Sequence, residues 1–138
     1  MATEATLNAT LNSWAPRVLS VLRIVTGLEL MQHGTAKFLG FPVVPALANA
    51  SVTSLSGMAG VLELIGGALF TIGLFTRPVA FVLSGLLAAA YFIAHATRGF
   101  FPIVNSGELA VLYCFVFFYF VFAGPGPWSV DAAMRRDS

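Results

Sequence analysis

Four long apolar runs, separated by short polar or proline-broken stretches, make up most of the chain. They extend from about Pro16 to Leu39, Ser54 to Phe75, Pro78 to Thr97 and Ser106 to Ala123. A helix that crosses a bilayer needs about 20 predominantly apolar residues, with a range of roughly 17–25, and each run fits. The pattern predicts an all-α integral membrane four-helix bundle, formed by a single membrane domain over residues 1–138. Pro16 suits the first turn of the first helix, where its missing N–H costs nothing. Pro42 and Pro45 break any continuous helix in FPVVPALANASVT, a linker apolar enough to lie at the interface or fold back over the bundle. Thr76-Arg77-Pro78 predicts a tight turn, and Gly124-Pro125-Gly126-Pro127 ends the last helix.

Composition supports the membrane class. Of the 138 residues, 58% are hydrophobic and only 9% charged, with 13 phenylalanines. Soluble domains average about 25% charged residues. A net charge of +1 without a basic run argues against nucleic acid as a partner. The single cysteine, Cys114, cannot form an internal disulfide and reads as a small buried hydrophobe. The polar start MATEATLNATLNSWAPR lacks a basic segment leading into a short apolar core, so the first apolar run is expected to stay as an anchor rather than be cleaved.

Four spans place both termini on one side. Arg17, Arg77, Arg135 and Arg136 flank that side, against Lys37 and Arg98 on the other, which favours cytoplasmic termini and a multi-pass protein of the bacterial inner membrane. Trp14 and Trp128 then mark the cytoplasmic interface.

Within so apolar a chain, the charges inside the runs stand out. A carboxylate at mid-membrane depth costs roughly 2.5–3.5 kcal/mol on insertion scales, so Glu29 and Glu63 are candidate functional groups. At about 1.5 Å rise per residue they lie about 15 Å and 14 Å from the outer ends of their helices. This common level predicts a buried pair sharing a proton. His33 lies one turn from Glu29 on the same face, and Lys37 continues the stripe. Glu29, Glu63 and His33 are thus candidates for proton transfer. His33, Lys37, His95, Arg98, Asn105 and Glu108 gather toward the outer ends as candidate substrate-binding groups. Asn105-Ser106-Gly107-Glu108 also reads as a capping box, with Asn105 at the N-cap and Glu108 at N3. Arg23, off the Glu29 face, is expected to meet another helix or to snorkel. Gly57, Gly60 and Gly67 share the face of Glu63, so that face should pack against protein.

A metal reading is disfavoured. Di-iron bundles use paired Glu-x-x-His motifs, and the local pair here is Glu29-x-x-x-His33. The two histidines differ in level and sit away from mid-depth, which suits haem poorly.

The stretches GLELMQHGTAKFLGF, GVLELIGGALFTIGLFTRPVA, FPIVNSGELAVLY and GPGPWSVDA, in that order and spacing, resemble the DoxX family of small bacterial membrane proteins. The matching polar residues are Glu29, His33, Gly34, Lys37, Glu63, Asn105, Gly107 and Glu108. The resemblance implies a four-helix inner-membrane subunit associated with redox enzymes, including thiosulfate-to-quinone electron transfer and a complex linking superoxide dismutase to thiol metabolism. No cysteine pair, dinucleotide fingerprint or flavin site accompanies it here, so electrons would need a bound quinone or a partner subunit. The leading expectation is a subunit of a quinone-linked oxidoreductase, partnered by a redox enzyme and the lipid bilayer, with a homo-oligomer also open. The alternatives are a proton-coupled carrier or export component for a small solute, and a structural anchor for a redox complex.

Overall fold

The computed structural model describes residues 2–136, and the side chains of residues 3–135. The described residues form helices and no strands. Helix α1 (Ala2–Leu39) is followed by α2 (Leu55–Ile72) and α3 (Thr76–Ala90). A π turn, Tyr91–His95, and a 3-10 turn, Ala96–Arg98, prolong α3. The short α4 (Pro102–Asn105), α5 (Glu108–Ala123) and α6 (Val130–Arg136) complete the chain.

Two segments, Leu55–Ile72 and Thr76–Arg98, are long and apolar enough to cross a membrane, with mean hydropathies of 1.7 and 1.9. Helix α5 is equally apolar in character but stops after 16 residues. Helix α1 has ample length, yet its stretch from residue 16 to residue 39 carries Arg17, Arg23, Glu29 and Lys37.

The main departure from the expected boundaries is at the start. Helix α1 begins at Ala2 rather than Pro16, and Pro16 lies inside it. The preceding segment is rich in alanine and leucine, which favour helix, and loses only the one bond that Pro16 cannot donate. The second correction concerns the turn before α3. Gly73, in the left-handed region at φ 71°, caps α2, and Phe75 at φ 51° precedes α3, so Thr76-Arg77-Pro78 is the first turn of a helix and not the connecting turn.

Glycines bring α1 and α2 together. A Cβ on Gly34 would lie 2.8 Å from the Gly60 carbonyl oxygen, and one on Gly67 would lie 3.0 Å from that of Gly27. Backbones this close gain dispersion and shorten every side-chain reach between the two helices. Helices α3 and α5 form the other close pair, tied by the Ser84 hydroxyl donating to the Cys114 carbonyl at 2.9 Å. Cys114 is a free, half-buried thiol in that seam. Phe70 from α2 joins the pairs, edge-on to Phe117 and Phe120 of α5. With Leu30, Leu83, Leu87 and Tyr113 these rings form the core.

The end nearest Arg23 is closed by polar ties. Arg23 is 1% exposed. Its guanidinium donates to the Trp128 carbonyl at 2.5 Å, the Thr71 carbonyl at 3.3 Å and the Pro125 carbonyl. It therefore meets other backbone segments and does not snorkel. Arg77 donates to the Val121 and Phe122 carbonyls at the end of α5, at 2.5 and 2.7 Å, satisfying acceptors that the helix leaves open. Asp131, from α6, accepts the Phe75 and Thr76 N–H groups at 2.9 and 2.8 Å. It caps α3 from a distant point in the chain, because Phe75 supplies no cap of its own. Arg136, one of the flanking cations, has a side chain outside the described residues.

Candidate functional site

The opposite end holds most of the polar residues singled out above. Helices α1 and α2 run antiparallel there. Side chains lean toward the N-terminus of their own helix, so Lys37 leans inward from the end of α1 while Glu63 leans outward from α2. They meet: Lys37 Nζ donates to Glu63 Oε2 at 2.7 Å, with side chains 6% and 11% exposed. Lys37 is thus a buried ion-pair partner. Gly60 makes room for it, since a Cβ there would lie 2.8 Å from Lys37 Cδ. Burial of Gly57, Gly60, Glu63 and Gly67 confirms that this face of α2 packs against protein.

Glu29 has a different partner. It is exposed, and its Oε2 accepts the Tyr113 hydroxyl at 2.8 Å, bridging α1 to α5. The hydrogen bonds therefore divide the two glutamates, giving one to Lys37 and one to Tyr113, and the expected proton-sharing pair is replaced by two separate contacts. Common depth did not decide the pairing, because the lean of Lys37 and Glu63 along antiparallel helices brings those two charges together.

His33 is half-buried, with Nδ1 3.3 Å from the Glu29 carbonyl oxygen. This leaves Nε2 as the ring atom for other contacts. His95, at the end of the π turn, has Nδ1 3.2 Å from the Asn105 carbonyl oxygen. A π turn widens the helix and redirects the side chains after it, and here it sets both Tyr91 and His95. Asn105 is 2% exposed and organises the nearby loop. Its amide donates to the Gly99 carbonyl at 2.5 Å and to the Tyr91 hydroxyl at 3.3 Å, and its Oδ1 accepts the Gly107 N–H at 2.8 Å.

The capping box is corrected in register. Asn105 ends α4, Gly107 is the N-cap of α5 without a side-chain cap, and Glu108 is the first residue of α5, exposed. Glu108 still sits where its charge favours the helix dipole. Arg98 is exposed and donates to the Ala94 carbonyl at 2.9 Å. Asn105 and His95 belong to one cluster, whereas Arg98 and Glu108 are exposed.

Two cavities flank Glu63. One, of about 300 Å³, is lined by His33, Glu63, His95 and Tyr113 together with Leu30, Leu87 and Ala110. The other, of about 420 Å³, runs between α2 and α3. Its walls are Met58, Leu62, Leu86 and Ile93, with Lys37, Glu63 and His95 at its polar end. The two share Glu63, Ala90 and His95. Leu47 borders the larger cavity, so the linker after α1 folds back over this end. The arrangement suits an amphiphile, with hydrogen-bonding groups converging on one chamber and an apolar groove beside it. Tyr113 was missed in sequence. The signal available was the first of two tyrosine hydroxyls, Tyr113 and Tyr119, in the largely apolar ELAVLYCFVFFYFVFA helix.

No three His, Cys, Asp or Glu side chains converge to hold a metal ion among the described residues.

Comparison with known proteins places this geometry in a family. The DoxX family model matches residues 18–96, which include Glu29, His33, Lys37, Glu63 and His95. An uncharacterized protein of Haemophilus influenzae is 47% identical over 125 residues, covering 88% of this chain and 93% of that one. No solved structure matches. With the family model covering α1 from residue 18, all of α2 and α3, and the π turn, the chain is a membrane protein of the DoxX family.

Proposed function

We propose that the protein is a four-span subunit of a quinone-linked redox system, with α1, α2, α3 and α5 crossing the bacterial inner membrane as one domain and both termini in the cytoplasm. The observation that carries the reading is the chamber lined by His33, Glu63, His95 and Tyr113, opening beside an apolar groove. A quinone needs both parts: hydrogen-bonding groups at its carbonyl oxygens, and an apolar path for its tail.

Reduction of a quinone to a quinol takes two electrons and two protons. On this reading the electrons come from a partner redox subunit. The protein's part is to position the head group and deliver protons. His33 and His95 have Nδ1 engaged with backbone carbonyls and line the chamber, which leaves each Nε2 to serve a ligand there. Glu63, held by Lys37, lines the chamber, and Glu29 is bonded to its wall residue Tyr113; these two are the proton-carrying carboxylates of this reading. Asn105 positions His95, while Lys37 holds the Glu63 carboxylate in place. Arg98 and Glu108 lie outside the chamber and contribute at most to its mouth.

Extraction of lipids from protein purified in mild detergent tests the reading. Native quinone should copurify, and Glu29→Gln should slow the linked electron transfer. Absence of quinone together with unchanged electron transfer in Glu29→Gln would remove the proposal. A carrier role is the second reading, favoured by one observation: the buried Lys37–Glu63 pair is a charge-neutral unit that a proton or a solute can open. Proton-dependent solute flux in liposomes, abolished in Glu63→Gln, would support it instead.

A further inference from the structure

At the end away from the chamber, a groove and a pocket adjoin. The groove, of about 320 Å³, runs between α2 and α3 and has a wholly apolar lining that includes Leu62, Ile65, Leu69 and Val82. Leu62, Ile65 and Val82 are exposed, so it opens on the outer surface of the helix pair. The pocket, of about 340 Å³, shares Phe75 and Pro78 with the groove. Its polar lining is Thr76, Arg77, Asp131 and Arg135. Arg77 gives Nη1 to the Val121 and Phe122 carbonyls. Among the described residues its Nε and Nη2 make no hydrogen bond, and that edge of a guanidinium matches two oxygens of a phosphate. Arg135 donates from Nε to the Asp131 carbonyl at 3.2 Å. The Asp131 carboxylate oxygens accept the Phe75 and Thr76 N–H groups. The pocket therefore sets two guanidinium groups against one carboxylate that is already hydrogen-bonded.

We propose that groove and pocket together bind one anionic phospholipid, with its phosphate between Arg77 and Arg135 and one acyl chain along the groove. Charge selects the head group, because paired cations at a membrane surface attract anionic lipid. Length selects the tail. From Leu62 to Ile72, the last residue of α2, is about 15 Å along the axis. That is half of a hydrocarbon core roughly 30 Å thick, the depth of one leaflet. Free phosphate would leave the groove uncovered. A quinone tail arriving from the larger cavity, which shares Leu62, would fill the groove but leave the arginines without an anion. The inference requires only that α2 and α3 cross the membrane, and both are long and apolar enough to do so.

Native mass spectrometry of the full chain in detergent tests this, with equimolar phosphatidylglycerol and phosphatidylcholine carrying the same acyl chains. The wild-type protein should retain phosphatidylglycerol several-fold over phosphatidylcholine. Arg135→Gln should remove most of that preference, whereas Arg17→Gln, an exposed cation at the same end but outside the pocket, should preserve it. Val82→Trp fills the groove without changing either arginine and should also lower phosphatidylglycerol retention several-fold. Both Arg135 and Val82 are exposed, so the fold should persist in each variant. Added inorganic phosphate should not displace the lipid. Equal retention of the two lipids by the wild type, equal losses in Arg17→Gln and Arg135→Gln, or displacement by phosphate would each overturn the proposal. Quinone content does not enter these readouts, so the outcome stands apart from that of the proposed function.

Discussion

Lys37 and Glu63 approach to 2.7 Å from helices that run in opposite directions, in a part of the molecule where both side chains are nearly sealed from solvent. The contact ties α1 to α2 directly beside the two cavities, so one ion pair bears on both local stability and the shape of the candidate site. Breaking such a pair by removing one partner leaves an uncompensated buried charge and costs about 3–5 kcal/mol, whereas replacing both by apolar groups is often neutral. Lys37→Met alone should therefore destabilise the protein strongly in detergent. The double variant Lys37→Met with Glu63→Met should recover most of the loss, and thermal unfolding of the three proteins measures it.

Glycine positions should respond with opposite signs. Gly34→Ala drives a methyl group against the Gly60 carbonyl at 2.8 Å, where backbone cannot easily yield, and should lower stability. Gly85 on α3 has nothing within 4 Å of its added methyl. There the helix preference for alanine, about 1 kcal/mol over glycine, should appear as a gain. Melting temperatures of the two single variants in one detergent give the comparison.

Asp131 should set the acid limb of stability. Burial pushes its carboxyl up, but the N–H groups of Thr76 and Phe75 and the neighbouring Arg135 outweigh burial and hold it below its ordinary range. A carboxyl depressed on folding stabilises the fold at neutral pH, and that contribution is lost as the pH falls through the carboxylate range. Asp131→Ala should cost about 1 kcal/mol at neutral pH, as lost helix caps do, and the difference from wild type should shrink in acid. Thermal unfolding across that pH range checks both the magnitude and the sign.

Tyr113 should couple to Glu29. Hydrogen bonds to charged groups contribute about 1.5–3 kcal/mol, and the Tyr113–Glu29 contact joins α5 to α1. In a double-mutant cycle, Tyr113→Phe and Glu29→Gln should be non-additive, because each removes part of the same contact. Strict additivity in unfolding measurements would mean that the contact carries no energy.

Much of the helical framework was legible from apolar run length. The run from Ser54 became α2 with Ser54 as its cap, its side chain accepting the Gly57 N–H, and the run ending at Ala123 stopped where Gly124 follows. The protein-facing side of Glu63 was legible too, from the small residues around it. What escaped the sequence depended on side-chain direction and on distant partners. Depth along the helix axis put Glu63 beside Glu29, but the lean of each side chain along antiparallel helices joined it to Lys37 instead. The Asp131 cap spans more than fifty residues of chain, and no local pattern announces it. Pro16 marked a plausible helix start, yet the residues before it continue the helix.

The chamber beside Glu63 is where we propose a quinone head group binds. The most direct measurement is photolabelling of the protein in nanodiscs with an azido-quinone, with the modified residues mapped by mass spectrometry. Labels should concentrate on peptides that line the chamber and groove, around Met58–Leu62, Leu86–His95 and Leu109–Tyr113, and be displaced by excess unlabelled quinone. Labels spread evenly over the lipid-facing surfaces, or undiminished by competitor, would contradict it.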